Sequence, residues 1–85
     1  MRPIPSNRFD RELIALLKSR RLNPNRVKKV LDLIRTNPHH SSLRLHKLSG
    51  TNNFAASVDR NIRIILHFDN DIVVLMRIGS HGEVY

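Results

Sequence analysis

Several polar residues in the C-terminal half of the chain are of types that carry out phosphodiester chemistry. Arg63 and Arg77 interrupt two apolar runs, and a guanidinium fixed on a strand can bind a phosphate and stabilise a pentavalent phosphorane. His81, Glu83 and Tyr85 follow close together and could divide the proton-transfer roles, for which histidine is best suited near neutral pH. Because RNA carries its own nucleophile, the 2′-hydroxyl, such a site could cleave RNA without a metal.

A third polar group, Arg44, His46 and Lys47, lies ahead of Gly50. Lys47 could contact a phosphate or supply a proton, and His46 could act as a second acid or base. Each of the three groups also has a simpler explanation. Lysine protects edge strands from aggregation, and the arginines could pair with nearby aspartates. The C-terminal residues could be a frayed polar tail. Tyr85 could also stack on an exposed base instead of transferring a proton.

The sequence lacks the signatures of several other kinds of site. It has no cysteine, so it has no disulfide framework and no thiolate metal site. The pair His39-His40 lacks flanking ligands for zinc. No paired carboxylates, phosphate-binding glycine loop or serine elbow is present. A chain of 85 residues also leaves no room for a deep cofactor cleft. We therefore predict neither a metal nor a small-molecule cofactor.

The chain is strongly basic, with 15 Lys and Arg against seven Asp and Glu and a formal net charge of +8. Residues 1–42 hold ten basic and three acidic side chains, whereas residues 43–85 hold five and four. Positive charge at this density attracts polyanions and speeds their encounter with the protein. The composition therefore favours a nucleic-acid partner, drawn mainly by the N-terminal half.

The composition also bears on location. No apolar run is long enough to span a bilayer, and the first residues lack the apolar segment of a secretory signal. A small chain without cysteines is typical of the cytoplasm. We expect a single cytoplasmic domain, residues 1–85, with no membrane partner.

The N-terminal half shows two helical periods. Asn7 can cap a helix that runs through about Arg21. Asn23 can cap a second helix, with Pro24 at its first position, that runs to about Arg35. The short connection between them predicts an antiparallel helical hairpin.

From residue 43 the apolar period approaches two, which predicts strands. We expect short strands at 43–46 and 54–58 and two central strands at 62–68 and 71–78. Residues 1–6 carry two prolines and predict at most a short edge strand.

The predicted fold class is α+β, with the N-terminal helical hairpin packed on one face of a small, twisted antiparallel sheet. Alternation along the first central strand gives Ile62 and Ile64 to the helix face, so Arg63 should project from the open face. Arg77, on the neighbouring strand, could lie close to it.

Four segments, taken in order, resemble the RelE/YafQ group of type II toxin–antitoxin toxins. They are Leu45-His46-Lys47-Leu48-Ser49-Gly50, Phe54-Ala55-Ala56-Ser57-Val58, Ile62-Arg63-Ile64-Ile65 and Arg77-Ile78-Gly79-Ser80-His81-Gly82-Glu83-Val84-Tyr85. With the helical hairpin ahead of them, the resemblance covers nearly the whole chain. It implies a RelE-like, microbial-ribonuclease-like fold and a toxin that cleaves mRNA in the ribosomal A site by metal-independent attack of the 2′-hydroxyl.

The resemblance also implies roles for individual residues and a partner. The catalytic residues that it implies are His81, Arg63, Lys47 and Tyr85. For substrate or phosphate binding it implies Arg77 and His46, to which the residue types and positions add Arg44 and Glu83. The implied partners are mRNA on the ribosome and a cognate acidic antitoxin that wraps the toxin as a helix or strand. Phe54, Arg77 and Gly82 depart from the family pattern.

Two other functions fit the same pattern. A ParE-like toxin shares this fold but acts on DNA gyrase, and it would not need His81 and Tyr85 arranged with Arg63. A catalytically silent domain that only binds RNA or an antitoxin would need no proton-transfer residues at all. The presence of His81, Glu83 and Tyr85 at the C-terminus favours cleavage of mRNA.

Overall fold

The computed structural model describes residues 1–85 and confirms the predicted α+β class. The helices are α1 Asn7–Lys18, α2 Pro24–Thr36 and α3 His81–Val84. The strands are β1 Arg2–Pro5, β2 His46–Lys47, β3 Asn53–Ser57, β4 Ile62–Asp69 and β5 Ile72–Ser80. They form one sheet in the order β1-β5-β4-β3-β2, so β4 and β5 are inner strands as predicted.

The ends of α1 follow from local hydrogen bonds and backbone sterics. Ser6 caps the helix, because its side chain accepts a bond from the backbone N–H of Phe9 at 3.0 Å. The predicted cap, Asn7, is instead the first helical residue. The helix ends at Lys18, short of the predicted end, and Arg20 adopts a left-handed φ of 58° that no helix can continue through.

The second helix follows its prediction more closely. Asn23 caps α2 by accepting from the backbone N–H of Asn25 at 2.9 Å, and Pro24 occupies the first turn, where its missing N–H costs nothing. Buried residues from both helices belong to the same core as the sheet. Both predicted helices are therefore present, joined by a short connection, and both pack into the core.

The sheet is mixed, not purely antiparallel as predicted. Strands β2 to β5 form an antiparallel meander, but β1 pairs in parallel with β5, from Arg2 opposite Ile72 to Pro5 opposite Leu75. The two long helices separate β1 from the meander in the chain, and β1 forms the edge of the sheet opposite β2. A segment of four residues with two prolines has no alternation from which a partner or direction could be read.

The prolines of β1 close the exposed edge of the sheet. The backbone N–H groups of Arg2 and Ser6 donate to β5, to Asp71 and Leu75 respectively, both at 2.9 Å. Because these donors alternate along a strand, the backbone nitrogens of Pro3 and Pro5 face away from the sheet. The outer edge of β1 thus lacks the N–H donors that a further strand would require.

The segment before β2 is not the strand predicted at 43–46. Residues Ser41–Leu43 form a 3₁₀ turn, and Arg44 follows with a left-handed φ of 48°. Leu43 is fully buried, so its place in the alternating pattern reflects core packing and not strand geometry. Only His46–Lys47 pair with β3.

The two faces of the sheet are packed differently. One face joins α1 and α2 in a core of 15 buried residues that includes Ile62, Ile64 and Leu66. The opposite face, called the open face below, carries a small separate cluster of Ala55 and Ile65 with Val84 from α3. Arg63 shares the parity of Ile65 along β4, and it therefore projects from the open face as predicted.

The C-terminal tail folds back over the open face and is not frayed. Val84 is 8% exposed and contacts the Ala55 and Ile65 cluster, which anchors α3 on the sheet. Gly79 makes the close approach possible, because a Cβ at this position would lie 3.0 Å from Cγ1 of Val84. Glu83 holds the turn by accepting from the backbone N–H of Ser80 at 2.8 Å and pairing with Arg21 at 3.0 Å.

We expect Gly79→Val to push α3 off the sheet, because its methyl groups would occupy the space of Val84. Overpacking of this kind costs about 1–3 kcal/mol, so the melting temperature should fall and the amide of Tyr85, bonded to His81, should lose protection from hydrogen exchange. The matched control is Gly82→Ala, where an added Cβ meets nothing within 4 Å. Equal stability and protection in the two variants would contradict the close packing.

A second prediction concerns Glu83, whose pKa the bond from Arg21 and those from Ser80 lower from 4.5 to about 2. A carboxyl with a lowered folded-state pKa stabilises the fold above its ordinary pKa and loses that effect as pH falls through the folded value. The difference in unfolding free energy between the natural chain and Glu83→Gln should therefore be constant above pH 4.5 and shrink between pH 4.5 and about 2.

Urea denaturation at a series of pH values measures this difference. The matched control is Asp32→Asn, which removes an exposed carboxyl on α2 that belongs to no ion pair. A difference for Glu83→Gln that does not change with pH would show that the tail does not depend on this carboxylate.

Candidate active site

Two histidines and a tyrosine meet on the open face. The hydroxyl of Tyr85 lies 3.3 Å from Nε2 of His46, and the ring centroids of His81 and Tyr85 are 4.1 Å apart in an edge-on arrangement. We call His46, His81 and Tyr85 the histidine–tyrosine cluster. All three side chains are exposed to solvent, so a substrate can reach each of them.

The positions of these residues follow from the fold of the tail and from strand register. His81 and Tyr85 are four residues apart, which places them one above the other where α3 makes its single turn. His46 lies opposite Ala55 in the register of β2 and β3, so its side chain leaves the sheet on the open face. Residues distant in the chain thus converge because α3 crosses the sheet toward β2.

Four arginines surround a neighbouring groove. They are Arg26 of α2, Arg44 after the 3₁₀ turn, Arg60 of the β3–β4 turn and Arg63 of β4. We call this the arginine groove. Its volume is about 420 Å³, and Val58 is the only apolar residue that lines it. Its lining suits a charged, hydrated ligand rather than an apolar one.

Backbone carbonyls hold two of these guanidinium groups in place. Arg63 donates through Nη1 to the carbonyl oxygen of Asp59 at 2.7 Å, and Arg26 donates through Nε to the carbonyl oxygen of Val58 at 2.9 Å. A carbonyl orients a guanidinium without cancelling its charge. Nε and Nη2 of Arg63 have no partner within the protein, which leaves a two-pronged donor of the kind that binds phosphate.

None of the four arginines is in an ion pair. The one acidic residue that lines the groove, Asp59, uses its carboxylate to accept from the backbone N–H groups of Asn61 and Ile62, both at 2.8 Å. The groove therefore carries positive charge that the protein does not neutralise.

Arg60 connects the arginine groove to the histidine–tyrosine cluster. It also lines a second groove, which His81, Ser80 and Asn61 border. The register places Arg63 opposite Gly79, two residues before His81, on the same face of the sheet as α3. Arg60 is thus shared by the groove that His81 borders and the groove that Arg44 and Arg63 line.

Arg77 does not join this surface. Its guanidinium turns toward α1 and donates to Glu12 at 2.8 Å, and this bond raises the pKa of Arg77. Glu12 also accepts from the backbone N–H of Ile78 at 3.3 Å, at the part of β5 that β1 does not cover. A register shift between Ile65 and Leu66 re-aims this part of β5. Glu12 thus neutralises Arg77 and also satisfies a backbone N–H of β5.

Lys47 and Glu83 are also separated from the cluster. Lys47 lies opposite Phe54, which packs against the main core, so its side chain leaves β2 on the side away from His46. Glu83 is occupied by Arg21 and by the backbone of Ser80. The structure therefore unites His46, His81 and Tyr85 and places Arg44 with Arg63, but leaves Lys47, Arg77 and Glu83 apart.

Two residues of this surface were not predicted from the sequence. Arg26 is one of several exposed cations on α2, and Arg60 lies in a turn without a periodic pattern. Only the return of β3 and β4 beside α2 brings them to Arg63, and the local pattern of residues contains no signal of that contact.

No group of three or more His, Asp or Glu side chains is placed to share a metal ion. No helix is long and apolar enough to cross a membrane.

Comparison with known proteins gives matches to solved structures alone. The sequence matches no family model and no curated protein. The structure of YafQ from E. coli strain BL21(DE3) matches with a TM-score of 0.83 and 19% identity, over 100% of this chain and 99% of that one. The E. coli DinJ-YafQ toxin-antitoxin complex matches at 0.84 and 20%, over 98% and 94%. A copper-bound mutant toxin from Helicobacter pylori matches at 0.87 and 18%, over 100% and 99%. At these identities the likeness shows the fold, and the chain has the fold of the YafQ toxin, as the resemblance in its sequence implied.

Proposed function

We propose that this chain is the toxin of a type II toxin–antitoxin pair and that it cleaves mRNA on the ribosome. The observation that carries the proposal is the convergence of His46, His81 and Tyr85 beside unneutralised arginines. The toxin class is supported by the fold shared with YafQ and with the DinJ-YafQ complex. The cleavage chemistry is supported by the residue types and their placement.

The cluster supplies the two proton transfers that RNA cleavage needs. Neutral His81 takes the proton of the 2′-hydroxyl, whose oxygen attacks the adjacent phosphorus. His46, as imidazolium, donates a proton to the departing 5′-oxygen, so the products are a 2′,3′-cyclic phosphate and a 5′-hydroxyl. Tyr85 holds both imidazoles, through ring contact with His81 and through its hydroxyl with His46.

Arg63 supplies the charge stabilisation in this mechanism. Negative charge on the phosphorane oxygens increases in the transition state, and a fixed guanidinium nearby lowers its energy without having to reorganise. Nη1 of Arg63 is anchored on backbone carbonyls, while its Nε and Nη2 are free to bind two oxygens. In this mechanism Lys47, Arg77 and Glu83 do not act on the substrate.

We also propose an acidic antitoxin as the inhibitory partner, since the chain carries a formal net charge of +8. The outward prolines of β1 prevent a partner from extending the sheet there. Ile4 and Ile14 are 36% and 51% exposed on β1 and α1. An amphipathic helix of the antitoxin could cover these residues, which favours the helical of the two binding modes considered from the sequence.

We expect His81→Ala to slow cleavage of mRNA on programmed ribosomes by about 10²-fold or more, because a positioned acid or base contributes about 10²–10⁴-fold. Tyr85→Phe should reduce the rate by about tenfold, the value of one lost hydrogen bond. Primer extension on the mRNA measures the cuts. His39→Ala, which removes an exposed loop histidine, is the matched control. Full activity in His81→Ala, or intact mRNA together with a supercoiling defect, would refute the proposal.

A further prediction separates the two arginines of the inner strands. Arg63→Gln should lower the cleavage rate by about 10²-fold, because it removes transition-state charge stabilisation. Arg77→Ala should instead lower the unfolding free energy by about 1–2 kcal/mol, because it leaves the half-buried Glu12 with only Arg8, 4.0 Å away, as an ion-pair partner. Cleavage rates and urea denaturation on both variants test this. A large rate loss in Arg77→Ala at unchanged stability would return Arg77 to the active site.

A further inference from the structure

We infer that the arginine groove is a binding track for the sugar–phosphate backbone of RNA, built by Arg26, Arg44 and Arg60 alongside Arg63. This rests on the proposed function and extends it from one scissile phosphate to the flanking nucleotides. The track begins at His81 and leads away from the histidine–tyrosine cluster toward α2 and the 3₁₀ turn.

The protein neutralises some of its arginines and leaves those of the groove unneutralised. Arg21 and Arg77 each pair with a glutamate at 3.0 Å or less. The four arginines of the groove have no acidic partner, although bringing like charges together is unfavourable in the absence of a ligand. A bound polyanion would relieve this repulsion.

Hydrogen-bond donors without a partner in the protein surround the groove. Arg26 binds a carbonyl through Nε and keeps both terminal nitrogens free, and Arg60 makes no hydrogen bond through its side chain. The hydroxyl groups of Ser42 and Ser57 also line the groove. Guanidinium and hydroxyl groups together are the donors that proteins commonly direct at phosphate oxygens.

The arginine groove adjoins the groove that His81 borders, which favours RNA over an acidic protein as the occupant. Arg60 borders both the arginine groove and the groove of His81, so a strand whose scissile phosphate lies at His81 meets Arg60 next. An RNA strand presents one charge per nucleotide at a regular spacing along such a path. An acidic polypeptide would have no reason to follow the path to His81.

The phosphates could belong to the substrate strand or to ribosomal RNA, and two probes distinguish these sources. The first is a fluorescent 12-nucleotide RNA with 2′-O-methyl groups, which lacks the nucleophile and stays intact. The second is the isolated small ribosomal subunit. Dissociation constants for both are measured against salt concentration.

The test variant is Arg26→Gln/Arg60→Gln, and the matched control is Lys28→Gln/Arg35→Gln, which removes two exposed charges from α2 outside the groove. In the groove variant we expect the dissociation constant to rise about tenfold or more. The salt dependence, d log K/d log[salt], should become less steep by about 1.4, since each phosphate contact with single strands contributes about 0.7. The control should change by less than about threefold.

The outcomes distinguish the substrate strand from ribosomal RNA as the source of the phosphates and also test the inference itself. Weaker binding of the oligonucleotide assigns the track to the substrate strand, and weaker binding of the subunit alone assigns it to ribosomal RNA. Both results support the inference. Equal losses in the groove and control variants, or no loss with either probe, would overturn it and leave the groove to an acidic protein. Arg60→Gln alone removes no internal hydrogen bond, so misfolding cannot explain its effect.

The variant His81→Ala tests cleavage separately from RNA binding, so the inference and the proposed function can fail independently. The substitution should strongly slow cleavage but raise the dissociation constants of both probes by less than about threefold, because it removes one imidazole where the track begins and leaves all four arginines in place. A natural chain that binds RNA through the groove but cleaves nothing would refute the nuclease and leave the track in place.

Discussion

The contact of Val84 with Ala55 and Ile65 is the interaction on which the candidate site depends. It involves few side chains, yet it decides whether the last residues lie on the sheet or in solvent. Gly79 allows the contact by having no side chain, and Glu83 fixes the turn that precedes it. Because His81 and Tyr85 flank the anchored residue, their distance from His46 is set by packing on a surface that the main core does not touch.

The molecule therefore uses its two sheet faces for different purposes. The face under α1 and α2 holds most of the buried apolar side chains and supplies most of the hydrophobic stabilisation. The other face buries only a small cluster and leaves room for polar groups around it. Changes to the histidine–tyrosine cluster are for this reason expected to affect chemistry more than folding, whereas Arg77 and Glu12 belong to the folded framework.

The sequence was informative where residues act through local periodicity. The Asn23 cap, the proline at the start of α2 and the alternation of Ile62, Arg63 and Ile64 all report short-range geometry, and the elements that they predict are present. It was uninformative where the position depends on distant contacts. The direction of β1, the pairing of Arg77 with Glu12 and the approach of Arg26 to Arg60 depend on how separate elements meet, which no local pattern encodes.

The two prolines of β1 determine what kind of recognition the N-terminal edge of the sheet can support. Main-chain pairing is nearly the same for every peptide, so an edge open to it accepts many sequences and discriminates poorly. With the N–H donors missing, main-chain pairing there is incomplete, so a polypeptide that binds must be selected mainly by the shapes of its side chains. The edge therefore disfavours unselective addition of a strand, including one from a second copy of the chain.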